Sequence, residues 1–244
     1  MLTIDNPRFA WRLTHQWSSC RTWILFVLGW GLVAPFTCGI MLNAAGVDPA
    51  FSDANWVSLG SLHAPNSFPS AAALDATGNL YVGGHFTAVG SVVGTSAIAK
   101  WDGREWSPLG LGLNAAVKAV AVLGSNVYAG GAFSYAINPG PSPVSVKGIA
   151  KWDGREWSTV GSGLGANALV YALAVSGSDL YAGGQFWTPG SAVSSIARWD
   201  GNAWSPLGGG LKGWVGALAV SGSDLYAGGG FTRATNSGGV SVVV

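Results

Sequence analysis

Charged side chains are scarce in this chain. Of its 244 residues only 9% are charged, against roughly 25% in an ordinary soluble domain, and the formal net charge is +1. A broad basic surface is therefore missing, which argues against a nucleic-acid partner. Hydrophobic residues make up 49% of the chain, so intrinsic disorder is also excluded, because disordered chains are charged and poor in apolar residues.

Cysteine and histidine are also rare in this chain. Both cysteines, Cys20 and Cys38, lie in or beside an N-terminal apolar segment, so the rest of the chain needs no disulfide. Beyond that segment the histidines are His63 and His85, and no cluster of His, Cys and Asp has the spacing of metal ligands. The glycine-rich stretches lack a P-loop lysine and a Gly-x-Ser-x-Gly motif. The sequence therefore predicts neither a metal nor a cofactor.

The N-terminus carries one long apolar run. Residues 1–21 form a basic region, and residues 23–42 follow without a charge. Such a run is long enough to span a bilayer as a helix, and the small residues after it suit a cleavage site. Residues 22–45 are therefore predicted to be a hydrophobic helix that serves as a signal peptide or a transmembrane anchor, with a buried soluble helix as the remaining alternative. Residues 46–55 read as a linker. Both leading alternatives place the chain from residue 56 outside the cytoplasm, secreted or anchored to the membrane by this segment alone.

From residue 56 to residue 244 the sequence repeats itself. One element, with Tyr two residues before a glycine pair, occurs four times at spacings of 45 to 53 residues. A second element, Trp-Asp-Gly followed by another Trp, occurs three times. A period of about 40–50 residues with several short strands is typical of a β-propeller. The repeated residues are Gly83, Gly84, Trp101, Asp102, Gly103, Trp106, Gly130, Gly131, Trp152, Asp153, Gly154, Trp157, Gly183, Gly184, Trp199, Asp200, Gly201, Trp204, Gly228 and Gly229.

Each repeat divides into four predicted strands. The first is an apolar run such as 172–175, the second ends at the glycine pair, and the third and fourth flank the Asp-Gly turn. Asp-Gly between two such runs predicts a type I′ hairpin turn, which needs positive φ at both positions. The glycine pair predicts a close approach of backbones, and the tryptophans are predicted to fill the core between sheets. The predicted fold class is all-β, a propeller of about four antiparallel four-stranded blades preceded by one hydrophobic helix.

The repeated residues resemble the divergent kelch-like and galactose-oxidase-like propeller repeats of bacterial exported proteins. The resemblance covers residues 56–244, although Tyr81 and its counterparts precede the glycine pair instead of following it. It implies four-stranded blades but little about activity, since propellers host many unrelated functions. The copper oxidase of this fold needs a cysteine ligand, which residues 56–244 lack, so that activity does not carry over. WD-repeat propellers are the second possibility because Trp-Asp recurs, although their Trp-Asp does not open a tight hairpin.

The ends of the repeat region leave two alternatives. The last repeat lacks Trp-Asp-Gly, and residues 240–244 stand where its third strand is expected. Residues 56–60 resemble a fourth strand without the preceding three, so they could complete the last blade and close a four-bladed ring. Alternatively, the repeats are part of a larger propeller. The second alternative is favoured, because a bare Val-Val-Val strand would be an aggregation-prone edge.

The remaining candidate for function is a binding surface. Nearly every carboxylate beyond residue 55 falls in a predicted turn, and no pair of acids suits glycoside hydrolysis. The connections between second and third strands vary, with 11, 15 and 9 residues in the first three repeats, and variable loops on a rigid scaffold usually carry specificity. The candidate ligand-binding residues in or near these loops are Tyr135, Trp187, Trp214 and His85.

The predicted function is therefore a non-catalytic exported or cell-surface module. It would bind a protein or a glycan through the loops between strands 2 and 3 and between strands 4 and 1. Local packing of the aromatic candidates is the competing explanation for them. The alternative function is a carbohydrate-active or other enzyme with its active site among these loops, for which His85 beside the glycine pair is the one candidate.

Overall fold

The computed structural model describes residues 2–4, 11–13, 65–187, 195–235 and 241–243. These residues contain no helix, and hence none that could traverse a bilayer. The predicted N-terminal hydrophobic helix lies outside the described residues. The strands in chain order are β1 Leu2–Ile4, β2 Trp11–Leu13, β3 Pro69–Leu74, β4 Leu80–Gly84, β5 Ala88–Val89, β6 Val92–Val93, β7 Ile98–Trp101, β8 Trp106–Pro108, β9 Val117–Leu123, β10 Asn126–Gly131, β11 Tyr135–Ala136, β12 Val144–Ser145, β13 Ile149–Trp152, β14 Trp157–Thr159, β15 Leu169–Ser176, β16 Asp179–Gln185, β17 Ile196–Trp199, β18 Trp204–Pro206, β19 Gly210–Ser221, β20 Asp224–Thr235 and β21 Ser241–Val243.

The strands form four antiparallel sheets. Sheet 1 has the order β3, β4, β7, β8; sheet 2 has β9, β10, β13, β14; and sheet 3 has β15, β16, β17, β18. Sheet 4 has the order β19, β20, β1, β2, with β21 as a fifth strand beside β20. Small hairpins, β5–β6 and β11–β12, lie between the second and third strands of sheets 1 and 2. An all-β fold of four-stranded antiparallel sheets, as predicted from the repeats, is confirmed.

The repeated sequence elements occupy the same strand positions in sheets 1 to 3. The glycine pair forms the end of the second strand in sheets 1 and 2, and one further residue follows it in sheet 3. The third strands end, and the fourth strands begin, with the tryptophans of the second element, which face each other as Trp101 and Trp106, Trp152 and Trp157, and Trp199 and Trp204.

Sheet 4 is completed from the opposite end of the chain. β1 takes the third-strand position, with Ile4 opposite Leu225, and β2 takes the fourth, with Trp11 opposite Ile4. The expectation that residues 240–244 supply the third strand is wrong: β21 pairs with residues 233–235 instead. The reason is that β19 and β20 each extend over 12 residues, so the hairpin continues past the glycine pair and β21 meets its far end. Residues 56–60 lie outside the described residues.

Successive sheets pack face to face and bury a hydrophobic cluster at each of three contacts. The largest side chains of the first cluster, between sheets 1 and 2, include Ile98, Phe133 and Trp157. Sheets 2 and 3 bury a second cluster around Ile149 and Leu180, and sheets 3 and 4 a third. On its other face, sheet 1 is covered locally by a fourth cluster that includes residues of the β5–β6 hairpin. Burial of these apolar faces is the main favourable term in folding.

The fourth-strand tryptophans tie each sheet to the preceding one. Trp157 Nε1 donates to the carbonyl oxygen of Leu109 at 2.7 Å, and Trp204 Nε1 donates to that of Val160 at 2.9 Å. Each acceptor belongs to the segment that follows the fourth strand of the preceding sheet. The two tryptophans of each sheet are also in ring contact, with centroids 5.4 to 5.5 Å apart. The predicted packing between sheets is confirmed for the tryptophans of sheets 2 and 3, which belong to or pack against the clusters between sheets. Trp101 and Trp106 belong to the fourth cluster instead.

The first glycine of each pair marks the place where the next sheet approaches. A Cβ built on it would lie well under 3.0 Å from a γ-methyl group of a valine in the first strand of the following sheet. Real Cβ atoms essentially never come so close, so only glycine fits, as the glycine pair predicted. At Gly228, the counterpart in sheet 4, the same point has no heavy atom within 4 Å. The contacting pairs are Gly83 with Val117, Gly130 with Val170 and Gly183 with Val215.

The Asp-Gly turns are longer than the predicted type I′ turn. In sheet 1 the two tryptophans pair directly, so residues 102–105 form a four-residue loop. Its glycine has a φ of 98°, but the aspartate is not among the residues with positive φ, as type I′ would require. Asp102 Oδ1 accepts the N–H groups of Arg104 and Glu105 at 2.8 and 2.9 Å, and these bonds fix the longer loop. The same carboxylate role, predicted from the sequence, is confirmed at Asp153 and Asp200.

Asp75 lies in the turn between the first two strands of sheet 1, and its carboxylate accepts five hydrogen bonds. The donors are the backbone and side chain of Thr77, the backbone and side chain of Asn79, and the Tyr81 hydroxyl. Burial by itself raises the pKa of this carboxyl, but the bonds from Asn79 and Thr77 outweigh it and lower the pKa from 3.8 to about 2. Burial, with the charge of Asp75, raises the pKa of Tyr81 to about 12.

The depressed pKa of Asp75 predicts an acid-sensitive contribution to stability. Because the pKa is lower in the folded state, this contribution is complete above about pH 4 and is lost as the pH falls toward 2. We expect Asp75→Asn to be less stable than the wild type at pH 7, and the difference to shrink between pH 4 and pH 2. Urea unfolding at pH 7, 4 and 2 measures it. An equal difference at all three pH values would contradict the assignment.

The glycine–valine contact predicts a position-dependent cost of adding one methyl group. We expect Gly130→Ala to lower the free energy of unfolding by about 1–3 kcal/mol, because the extra Cβ forces Val170 or the backbone to move. Gly228→Ala makes the same change at the same repeat position but in open space, and its effect should stay within about 0.5 kcal/mol. Urea unfolding in dilute solution compares the two. Equal losses would show that the contact between sheets is not what requires glycine.

Candidate functional site

Each sheet has two ends with different connections. Because neighbouring strands are antiparallel, the links between strands 1 and 2 and between strands 3 and 4 share one end, here called the turn end. The links between strands 2 and 3, and from strand 4 to the next sheet, share the other, here called the loop end. The structure places all four candidate residues at the loop end: His85, Tyr135, Trp187 and Trp214.

His85 occupies an exposed position between two buried neighbours. It directly follows the glycine pair, and Gly84 and Phe86 on either side of it are buried. Its backbone N–H donates to the Phe68 carbonyl at 2.9 Å, which fixes the chain direction at this point. The counterpart position is exposed in the other three sheets as well, where it holds Ala132, Gln185 and Gly230. Each sheet therefore presents a different side chain to solvent at an equivalent place on a constant scaffold.

His85 also lines a cleft of about 250 Å³ at the loop end, between sheets 1 and 2. One wall is the segment after β4, and the other is the link that enters β9. The volume lies just below the range of roughly 300–1,000 Å³ that holds drug-sized ligands, so the cleft admits one small unit of a ligand. Its polar lining residues are Asn66, Ser67, His85, Thr87, Ser96 and Asn114, and its apolar ones are Phe86, Ala97, Leu113, Ala115 and Ala116.

Two asparagines that were not predicted as site residues hold the walls of this cleft. Asn114 Oδ1 accepts the N–H groups of Ser134 and Tyr135 at 3.0 and 2.8 Å. In sheet 1, Asn66 Oδ1 accepts the corresponding bonds from residues 87 and 88 at 3.0 and 3.3 Å. Each asparagine joins the link that enters a sheet to the 2–3 loop of the same sheet. Asn167, at the same place in the third repeat, is the sequence signal that could have revealed the pattern.

Tyr135 and Trp187 both direct aromatic surface to solvent from 2–3 loops. Tyr135 is 45% exposed, and its backbone is held by Asn114, which also lines the cleft. Trp187 is 70% exposed and directly follows the buried Phe186. Neither ring belongs to the three clusters between the sheets. Both side chains are therefore available for contact with a ligand.

Trp214 differs from these two because it packs against its neighbours. Its ring meets Tyr171 of sheet 3 edge-on, with centroids 6.3 Å apart and planes at 87°. It also covers Gly216 and Gly230, where any Cβ would collide with the indole. The side chain is still 47% exposed. Its contacts fit the local-packing explanation, with one face left toward solvent.

The two ends of the sheets differ in charge. Within residues 65–187 and 195–235, every carboxylate lies at the turn end, namely Asp75, Asp102, Glu105, Asp153, Glu156, Asp179, Asp200 and Asp224. The loop end instead carries four exposed cations, Lys118, Lys147, Lys212 and Arg233. The loop end therefore has a positive potential that attracts anions, most strongly at low salt.

The groups that line the cleft are better suited to binding a ligand than to transferring a proton. His85 is the one imidazole in its lining, and the carboxylates of residues 65–235 that the structure describes lie at the opposite end. Among the described residues no group of three or more His, Cys, Asp or Glu side chains is arranged to hold a metal ion. What the arrangement supplies is hydroxyl, amide and imidazole groups above an apolar floor.

Comparisons with known proteins leave the family open. No protein-family model matches the chain, and no curated protein matches it. Among solved structures, the computationally designed Ika4 protein is similar at 17% sequence identity and a TM-score of 0.39, with 73% of this chain and 91% of that chain covered. A likeness at this level carries no argument about fold or function. The kelch-like affiliation therefore stays a prediction.

Removing Asn114 tests whether it holds the 2–3 loop of sheet 2. We expect Asn114→Ala to speed amide hydrogen exchange of Ser134 and Tyr135 by about tenfold, because two N–H groups lose their acceptor. Asn66→Ala is the matched control, in which Thr87 and Ala88 respond instead. Exchange measured residue by residue distinguishes them. If both loops exchange faster in both variants, the asparagines stabilise the whole protein and not their own loops.

Proposed function

We propose that the four sheets are blades of a propeller of the kelch-like kind that the repeats resemble. The support is the constancy of the contact between successive sheets, since the glycine–valine pair recurs three times in the same register. A constant contact applied to equivalent units turns each by a similar angle, and in propellers this produces rotation about a central axis. The first strands, which contact one another in the order β3, β9, β15 and β19, would line that axis.

In this proposal the loop end binds a glycan that carries acidic groups, and the chain does not catalyse a reaction. The cleft at His85 is the observation that carries it. Its uncharged hydroxyl and amide groups suit the hydroxyls of a sugar ring, and its apolar floor suits the ring's C–H face. The four cations of the loop end would attract carboxylate or sulfate groups on the glycan. Trp187, with 70% of its surface free, offers a flat face for a second sugar.

Oligosaccharide binding by the full chain tests the ligand class. Acidic oligosaccharides are expected to bind better than neutral ones of the same length, and their affinity should fall as salt rises from about 50 to about 500 mM, because screening weakens the attraction. A glycan array followed by calorimetry measures both. A preference for neutral sugars that salt does not change would contradict the acidic ligand. A chain that binds no glycan but captures an acidic protein would support the protein alternative.

Two tryptophan variants separate ligand contact from packing. Trp187→Ala should weaken glycan binding by about tenfold, a typical loss for one stacking aromatic, and should leave the melting temperature unchanged because the ring is exposed. Trp214→Ala is the control that should lower the melting temperature, since its ring packs on Tyr171 and two glycines. A Trp187→Ala protein that melts earlier yet binds as the wild type would assign Trp187 to packing.

The proposal also places the module outside the cytoplasm, secreted or anchored through residues 22–45, and this has a consequence for sheet 4. β1 pairs with β20 through residues 2–4. A strand that is cleaved with a signal peptide, or kept on the other side of the membrane, cannot make this pairing. An exported chain would therefore lose β1 and β2 from sheet 4 and expose the edge of β20. N-terminal sequencing of the chain from each compartment distinguishes the two forms.

A further inference from the structure

The outer face of sheet 4 carries the residues that receive a neighbouring sheet elsewhere, but no residue that the structure describes covers them. Gly228 is exposed and its Cβ position is open, whereas its counterparts Gly83, Gly130 and Gly183 are buried under the valine of the next sheet. Tyr226 is partly exposed, while the equivalent tyrosines of sheets 1 to 3 are at most 8% exposed. Sheet 4 thus presents an unfilled socket of the kind that is filled three times within the chain.

The outer face of sheet 1 carries the complementary part of the contact. Pro69 stands opposite Gly84 as Val117 stands opposite Gly131, so it holds the place of the inserting valine. Val117, Val170 and Val215 are completely buried, but Pro69 is exposed. Leu74, at the other end of this strand, is 46% exposed, and Phe68, directly before Pro69, is 81% exposed. Exposed apolar surface of this kind marks a candidate interaction site.

Sheet 1 carries a buried donor on the same outer face. The indole N–H of Trp106 is buried and has no hydrogen-bond partner in the part of the chain that the structure describes. In sheets 2 and 3 the equivalent donors, on Trp157 and Trp204, reach a carbonyl of the preceding sheet. A buried N–H without an acceptor is destabilising. In sheets 2 and 3 the acceptor lies in the segment that leads into β9 or β15, and the counterpart of this segment before β3 is described only from residue 65.

We propose that the outer face of sheet 4 binds the outer face of sheet 1 of a second copy of this chain. The occupant is a second copy because the two faces complement each other in the way that the three internal contacts already show. The contact is head-to-tail, so it either closes into a ring or continues as a filament. The inference rests on the propeller arrangement proposed above. The four described sheets of two copies would close a ring of eight, the upper end of the usual range of about 4–8 blades, whereas those of three copies would exceed it.

Sedimentation velocity of the full chain in mild detergent, from about 1 to about 200 µM, tests the association. The expected product has about twice the 24.9 kDa mass of the chain. Gly228→Lys, which places bulk and charge in the open socket, should weaken dimerisation by at least about a hundredfold, as expected for a buried unpaired charge. Ser223→Lys adds the same charge to an exposed turn of sheet 4 and should leave the dimer intact. Circular dichroism checks that each variant is folded.

A variant on the opposite face makes the test independent of Gly228. Leu74→Lys should also give a monomer, because Leu74 lies on the face that inserts. Mixing the two monomeric variants should restore two-chain particles held by one unaltered contact, since the second chain contributes the intact face that the first lacks. This partial rescue is the signature of a head-to-tail contact, and a contact between identical faces would not show it.

The outcomes separate this inference from the proposed function. A chain that stays monomeric at about 200 µM, a dimer that Gly228→Lys leaves unchanged, or particles larger than two chains would each overturn the ring. Glycan binding is measured on the same samples. A monomer that binds acidic glycans would overturn the ring alone, and a dimer that binds none would overturn the ligand alone.

Discussion

The contact between a glycine without a side chain and a valine of the next sheet is the constraint on which the arrangement of sheets depends. A four-stranded sheet has two apolar faces and must cover both. At Gly130 the missing Cβ lets the first strand of sheet 3 come within van der Waals reach of the second strand of sheet 2. The indole of Trp204 adds a directional bond to Val160 at the fourth strand. The glycine–valine contact at the first strand and the tryptophan hydrogen bond at the fourth strand lie at opposite edges of the later sheet. Together they determine the angle between neighbouring sheets, so this angle repeats wherever both contacts repeat.

The features that recur in the sequence were predictable, and those that occur once were not. The glycine pairs and the tryptophans define the second, third and fourth strands of sheets 1 to 3, because a local pattern with period two is enough to locate a strand. The turn type was wrong because the Asp102 carboxylate binds two backbone N–H groups and stabilises a longer loop than the backbone alone prefers. The pairing of β1 with β20 joins segments more than 200 residues apart, and no local pattern indicates such a partner.

The candidate site lies at the loop end because the two ends of the sheets meet different structural requirements. The loops between third and fourth strands use aspartate carboxylates as hydrogen-bond acceptors, and this role places Asp102, Asp153 and Asp200 at the turn end. The loop end has no such requirement, so its side chains are free to vary from sheet to sheet, as they do at His85 and Gln185. The aromatic candidates were predicted from the sequence, but the lysines of the loop end were not. The cleft was not, because it is formed by the way in which Asn66 and Asn114 hold loops that are distant along the chain.

The repeat also explains why the two outer faces are not ordinary surface. Each sheet inserts into the sheet before it and receives the sheet after it, so an open stack always leaves one inserting face and one receiving face uncovered. A strand position that faces only solvent does not require glycine, because a side chain there contacts no neighbouring sheet. Gly228 nevertheless stands in a strand with no heavy atom within 4 Å of its Cβ position, where a β-branched residue would stabilise the strand better. Trp106 likewise keeps a buried indole N–H that its own chain, as far as it is described, leaves without an acceptor. Both features become intelligible once each outer face is regarded as one half of the contact that holds the rest of the molecule together.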